Sequence, residues 1–263
     1  MLASNAALLV ALVLVGRLIT DEAGSGAARW TLWLVVFAPG AVAFGWAYSD
    51  SLLLAASAGA LLAARHRRWA LVAACYAIAV LARLPGILLA LPLLAELWRQ
   101  DGRRPTVHVL ALAAGPLALL AFAFYQGAVL GDPFAFVHGQ ASWDLPPVTQ
   151  AGAVYNRPDG SMPDYVLAMV ALLLATLLAY TATLPGIWRS KLPRPEVLLA
   201  LMAFVSVFLS GRLQSDARYL AAGWSFAWFL GTRRPRWRSA WLGVCVVTYI
   251  VYGFLNVSHL LAP

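Results

Sequence analysis

Charged residues are scarce in this chain. Asp, Glu, Lys and Arg make up 11% of its 263 residues, whereas 62% are hydrophobic and the mean hydropathy is +0.77. Soluble globular domains contain about 25% charged residues. The composition therefore excludes an ordinary soluble domain and predicts an all-α, polytopic membrane protein.

Cysteine is equally rare. Cys75 and Cys245 lie inside apolar runs, without the spacing of a disulfide framework or a metal site. His138 has no second His or Cys at ligand spacing, so we predict no metal. The sequence contains no GxGxxG, Walker A, HExxH or GxSxG pattern, which argues against the soluble enzyme classes that these motifs mark, and we predict no cofactor.

Long apolar runs are abundant instead. With about 20 residues for one membrane crossing, ten runs can be read, at 2–19, 30–48, 51–64, 69–82, 85–98, 106–129, 165–188, 197–211, 219–232 and 239–262. Several are shorter than a crossing, and short helices interrupted by Pro or Gly are tolerated where they line a cavity. We predict one transmembrane domain over 1–263, a bundle of about ten helices, several of them short or broken.

Basic residues recur in alternate connections between these runs. When each apolar run is counted as one membrane crossing, 15 of the 19 basic residues lie on one side. The positive-inside rule identifies that side as the cytoplasm. The exceptions are Arg83, Arg157, Arg212 and Arg218. The net charge of +8 is then a topology signal, and we expect no nucleic-acid partner. The same count places the N-terminus outside, so we expect further sequence ahead of Met1 and a location in a bacterial cell membrane.

A carboxylate stands between two apolar runs, in the segment Tyr48-Ser49-Asp50-Ser51. An ionisable side chain at membrane depth costs several kcal/mol, so it usually faces a wet cavity or the interior of a bundle. Alternatively, Asp50 caps a helix that begins at Ser51. The two roles are compatible.

Arg83 lies at the tip of a predicted helical hairpin, on the external side. A guanidinium forms paired hydrogen bonds with phosphate oxygens, so a lipid phosphate is one candidate ligand. Snorkelling to the interface or a salt bridge to Asp50 is the alternative.

Two further segments reach the external side. The loop 130–164 is long enough to be functional, and its part from Phe134 to Trp143, which includes Gln140, has the spacing of an interfacial amphipathic helix. Simple anchoring of Trp143 at the interface is the alternative. The connection 211–219 contains Arg212 and Arg218, which favours an anion such as a lipid phosphate over an ordinary solvated loop.

In this order the segments resemble the PIG-V type (GPI mannosyltransferase II-like) family, especially its bacterial members. The resemblance runs from about residue 30 onward and depends on the motifs Tyr48-Ser49-Asp50-Ser51-Leu52, Arg83-Leu84-Pro85-Gly86, Gly131-Asp132-Pro133 with Gln140 and Trp143, and Arg218-Tyr219. That family belongs to the GT-C glycosyltransferases, which transfer a sugar from a polyprenyl-phosphate carrier on the external or lumenal face. The resemblance implies a membrane mannosyltransferase whose partners are a lipid-linked sugar donor and membrane lipids.

The resemblance also implies residue roles. Asp50 would be catalytic, orienting a sugar hydroxyl or assisting proton transfer, and the binding residues would be Tyr48, Ser49, Arg83, Gln140, Trp143, Arg212, Arg218 and Tyr219. The family's key acid lies in a first external loop that has no counterpart here, so we expect the chain to lack the family's N-terminal part. The alternatives are a lipid or small-solute transporter or flippase, and a non-catalytic membrane subunit.

Overall fold

The computed structural model describes residues 1–46, 48–102, 106–141, 164–210 and 213–261. In these residues all regular structure is helical, which confirms the all-α prediction. The α-helices are α1 (Leu2–Val36), α2 (Val42–Gly45), α3 (Asp50–Arg65), α4 (Trp69–Ala82), α5 (Ala90–Asp101), α6 (Ala114–Leu130), α7 (Ala135–Ala141), α8 (Asp164–Trp188), α9 (Arg194–Ser210), α10 (Leu213–Ala222), α11 (Ser225–Gly231) and α12 (Pro235–Leu261). Two 3₁₀-helices, Leu84–Leu89 and Val107–Ala113, precede α5 and α6.

Three helical segments of the described chain are long and apolar enough to cross a membrane. They are Leu2–Val36, Val107–Leu130 and Val170–Trp188. Most of the other apolar runs form shorter helices; α3 and α4 have 16 and 14 residues, fewer than the roughly 20 that a crossing needs. The membrane class is therefore supported, and the expectation that several helices are short is met, whereas a GT-C-like bundle of about ten helices stays a prediction.

Helix α1 is interrupted at Gly24. This residue has φ 84° and ψ 165°, a conformation that glycine adopts without a steric penalty. A methyl group at Gly16 would meet the Leu32 side chain at 3.4 Å, whereas a straight helix would separate these residues by about 24 Å. The two arms of α1 therefore lie side by side. The second arm ends at Val36, and the short helix α2 follows Pro39 and Gly40, so the apolar run 30–48 is a helix broken at its Pro-Gly pair.

Helix α3 lies at the centre of the bundle, packed against both α1 and α4. It is buried along nearly its whole length, and it is rich in Ala with Ser and Gly. Small side chains allow helix backbones to approach closely in membrane proteins. A charged residue stands at each end of α3, Asp50 at its start and Arg65 at its last turn, about 23 Å apart along the axis.

Helix α6 shows the opposite pattern. Only 6% of the apolar stretch within Val107–Leu130, which includes α6, is buried, and large side chains such as Leu117 and Phe124 are 60% and 70% exposed. It approaches α4 where Gly115 faces the Tyr76 ring, with no room for a methyl group between them. An exposed apolar surface of this length fits contact with lipid rather than water.

Candidate functional site

A buried ion pair joins the start of α3 to the end of α4. Nη2 of Arg83 donates to Oδ2 of Asp50 over 2.8 Å. Asp50 has no exposed surface, and the Arg83 side chain is 16% exposed. The alternative that Asp50 caps α3 is wrong, because the helix already begins at Asp50 and Ser49 is its N-cap residue. The salt bridge considered for Arg83 is therefore present.

Two hydrogen bonds fix the helix ends that meet at this ion pair. The Ser49 hydroxyl donates to the carbonyl of Ala82, the residue before Arg83, over 2.8 Å. The Ser51 hydroxyl donates to the Phe44 carbonyl, also over 2.8 Å. These bonds attach the first turn of α3 to the segments on either side of it. The position of Arg83 thus depends on the Tyr48-Ser49-Asp50-Ser51 segment.

Close packing at Gly86 completes this corner. A methyl group there would stand 2.3 Å from the Ala79 carbonyl oxygen. The turn after Arg83 therefore passes directly against the last turn of α4, an approach that only glycine permits. Arg83 itself is extended, with φ −156° and ψ 139°, and so leaves the helix at the point where it meets Asp50.

Helix α10 brings a second arginine and a tyrosine to the same place. Nη1 of Arg83 lies 3.4 Å from the Tyr219 hydroxyl, and its guanidinium carbon is 5.5 Å from the centre of the Tyr219 ring. The guanidinium of Arg218 lies 4.8 Å from the centre of the Tyr48 ring. Both distances are within the range of cation–π contacts. The sequence indicated a polar connection over 211–219, but the structure is helical from Leu213.

The resulting cluster, which we call the Arg83 site, consists of Tyr48, Ser49, Asp50, Arg83, Arg218 and Tyr219. Its two arginines and one aspartate leave a net charge of +1 among these residues. Oδ1 of Asp50 and Nε of Arg83 are buried with no hydrogen-bond partner in the described chain. Tyr48 is 42% exposed, so the cluster reaches the protein surface. A partly buried cationic cluster beside aromatic rings is suited to an anionic ligand.

The structure describes no side chain for three of the proposed site residues. Trp143 and Arg212 lie outside the described residues, and only the backbone of Gln140 is described, within α7. Near α7, Asp132 accepts from the Phe134 amide over 2.9 Å and lies 2.7 Å from Nδ1 of His138. The interfacial location of this helix stays a prediction.

A second ionic cluster at the other end of α3 was not anticipated as a site. Arg65 contacts Glu196 and lies 2.8 Å from Glu22, and Arg99 lies 2.9 Å from Glu96. Glu96 and Glu196 have no exposed surface. In the sequence, Arg65 and Arg99 are part of the topology signal only. Glutamates so close to apolar runs were the signal in the sequence that could have indicated this cluster, because such residues are rarely buried without a partner.

Comparison of the chain with protein-family models, curated proteins and solved structures finds no match. Function must therefore be argued from the chemistry of the site. In the part of the chain that the structure describes, no three His, Cys, Asp or Glu side chains are grouped as metal ligands would be. The groups available for chemistry in the Arg83 site are a carboxylate, two guanidinium groups, a serine hydroxyl and two phenols.

Proposed function

We propose that the chain is a membrane glycosyltransferase of the GT-C type, a mannosyltransferase that takes its sugar from a polyprenyl-phosphate carrier. The observation that supports this proposal is that Arg83, paired with the buried Asp50, and Arg218, stacked on Tyr48, come together in one cluster. Positions far apart in the chain meet there, and each belongs to a motif on which the family resemblance depends. The sequence topology assigns this cluster to the external face.

The carrier's phosphate is the group that the two arginines would bind. Arg83 uses one nitrogen for Asp50 and directs another toward Tyr219. Charge-assisted hydrogen bonds from guanidinium groups to phosphate are short and strong. During transfer, the bond from the sugar's anomeric carbon to the phosphate oxygen breaks, a bond to the acceptor hydroxyl oxygen forms, and the hydroxyl proton is released to water. The leaving phosphate gains negative charge, which Arg83 and Arg218 would stabilise.

Asp50 has a supporting role in this arrangement. Its carboxylate has no exposed surface, so it contacts Arg83 rather than a ligand and acts as a positioning residue. A direct role in accepting the acceptor's proton stays a prediction and requires the carboxylate to become exposed. A base of this kind typically contributes 10²–10⁴-fold to rate.

Binding and transfer can be tested separately. The protein in detergent is mixed with polyprenyl phosphate or with the uncharged polyprenol of equal length, and the retained lipid is measured. We expect retention of the phosphate form alone. Transfer is then followed with polyprenyl-phosphate-linked radiolabelled mannose in membranes from which the endogenous gene is deleted. Equal retention of both lipids would refute the proposed site. Binding without transfer would refute transfer by the chain as given and agree with the expectation that it lacks the family's N-terminal part.

A second candidate is a transporter or flippase. The specific observation in its favour is that buried ionisable groups stand at both ends of α3, since intramembrane charges often mark a substrate pathway. Proteoliposomes separate the two functions. A flippase moves a labelled lipid between leaflets without forming a new glycosidic bond, whereas the transferase leaves a labelled product.

A further inference from the structure

Two cavities adjoin each other between α8, α11 and α12. The first has a volume of about 110 Å³ and is bounded mainly by aliphatic and aromatic side chains. Its threonines do not make it polar, because Thr176 donates to the Leu172 carbonyl and Thr248 to the Val244 carbonyl, over 2.8 and 2.9 Å. Hydroxyls that are satisfied by their own helix leave an apolar wall. This cavity, the apolar cavity below, is suited to a few methylene groups of a hydrocarbon chain.

The second cavity, the cationic cavity below, has a volume of about 390 Å³ and shares the wall residues Thr183, Leu230 and Trp241 with the first. Its wall also contains Arg233 and Arg234 and no acidic residue. Arg233 stacks on the Phe229 ring at 3.8 Å. Within the described chain neither arginine forms an ion pair with a carboxylate. Two exposed cations therefore line a cavity that lies directly beside the apolar cavity.

Two exposed tryptophans indicate that the cationic cavity opens near the membrane–water interface. Trp188 and Trp237 are 68% and 55% exposed, and tryptophan is enriched where a membrane meets water. The distribution of basic residues assigns this end to the cytoplasm. Anionic lipids are concentrated in the cytoplasmic leaflet, and basic pockets between helices on that side bind their headgroups.

From these features we infer a binding site for an anionic glycerophospholipid. Its phosphate contacts Arg233 and Arg234, and a short part of one acyl chain occupies the apolar cavity. The cationic cavity alone falls within the range of about 300–1,000 Å³ that is usual for ligand pockets. Gly231, beside it, packs against Thr31 in the second arm of α1, at the opposite end from the Arg83 site. The inference is independent of the proposed function.

Native mass spectrometry of the purified protein tests this inference. Phosphatidylglycerol, phosphatidylcholine with the same acyl chains, or inorganic phosphate is added, and bound adducts are counted. We expect preferential retention of phosphatidylglycerol. The double variant Arg233→Gln with Arg234→Gln should lose at least about tenfold in retention, since each charge-assisted hydrogen bond is a substantial contribution. Ala179→Phe, which fills the apolar cavity, should lose it as well, with Ala175→Phe as a second filling variant should the first fail to fold.

The matched control is Arg189→Gln with Lys191→Gln. It removes the same charge from exposed positions at the same end of the bundle, outside both cavities. Unchanged retention in this control supports the inference. A loss of retention in the control equal to that in the Arg233/Arg234 variant would show a general attraction to surface charge and would overturn the inference. Full retention in both filling variants, or equally effective competition by inorganic phosphate, would show a site for an anion without a chain and would also overturn it.

Discussion

Nη2 of Arg83 lies 2.8 Å from Oδ2 of Asp50, although 33 residues separate the two in the chain. The pair is buried on the Asp50 side, and the same guanidinium approaches Tyr219 through its other terminal nitrogen. Arg83 therefore has a structural partner and a direction in which a ligand could approach. A ligand-binding role and a purely structural role for Arg83 lead to different predictions.

Replacement of Arg83 should weaken binding of polyprenyl phosphate in a graded way. Arg83→Lys keeps the charge but loses the planar fork, so affinity should fall, and Arg83→Ala should nearly abolish binding. Loss of two charge-assisted hydrogen bonds of about 1.5–3 kcal/mol each corresponds to more than a hundredfold. Lipid retention by the purified protein gives the measurement.

The double variant Arg83→Ala with Asp50→Ala separates ligand binding from ion pairing. Arg83→Ala alone leaves a buried charge without its partner, which costs about 3–5 kcal/mol. Removing both charges should restore folding, measured as the unfolding midpoint. If lipid binding also returned, Arg83 would be a structural residue only, and Arg212 and Arg218 would remain as phosphate candidates.

Gly86→Ala should destabilise the protein and displace Arg83. The added methyl group would meet Ala79 backbone atoms at 2.3 and 2.5 Å, and such overpacking costs about 1–3 kcal/mol. The matched control is Gly26→Ala, where no atom lies within 4 Å and the change to alanine favours the helix slightly. Unfolding by denaturing detergent should distinguish the two, and equal midpoints would contradict the close approach.

Two neighbouring arginines should differ sharply in their contribution to stability. Arg65 is 8% exposed and contacts Glu22 and the fully buried Glu196, so Arg65→Ala leaves the Glu196 carboxylate without this partner and should cost about 3–5 kcal/mol. Arg67 is 53% exposed and pairs with Asp101, and an exposed pair contributes less than about 1 kcal/mol. Similar losses in Arg65→Ala and Arg67→Ala would show that the cluster around Arg65 is not buried in the membrane-embedded protein.

The Asp132 carboxyl should titrate at low pH. Its hydrogen bond with His138, and then that with the Phe134 amide, lower the pKa of this carboxyl below its ordinary value of 3.8. Because the folded-state pKa is lowered, the stabilisation is present above about pH 4 and is lost as the pH falls through the folded-state value. Carboxyl NMR titration in micelles measures it. His138→Ala should move the pKa toward 3.8, and an unchanged value would exclude His138 as the cause.

The membrane orientation is open to a direct test. Reporter fusions after Arg68, Arg104, Arg194 and Arg238 should be cytoplasmic, and one at Pro158 should be external, because the basic residues follow the positive-inside rule. Inverted results at any two positions would place the Arg83 site on the cytoplasmic side. The proposed use of an external sugar donor would then fail.

Secondary structure was predicted best where apolar runs end at charged residues. The runs 51–64 and 69–82 correspond to α3 and α4 within one residue. The predicted polar connection over 211–219 is wrong from Leu213 onward, where the structure is helical. Residues 213–222 contain no Pro or Gly, and polar residues alone do not end a helix. For 30–48, the helix is interrupted at the Pro39-Gly40 pair, since helices usually end at or before the residue that precedes a proline.

The sequence by itself determined the helical class, the membrane character and the separation of charged residues between the ends of the helices. These properties follow from composition and from the position of each charge along a run. Only the tertiary structure decided that Asp50 meets Arg83 and that Arg65 meets Glu196, 131 residues away. Such pairs depend on the rotation and crossing of whole helices, and an apolar run that is hydrophobic all round does not specify which face turns inward.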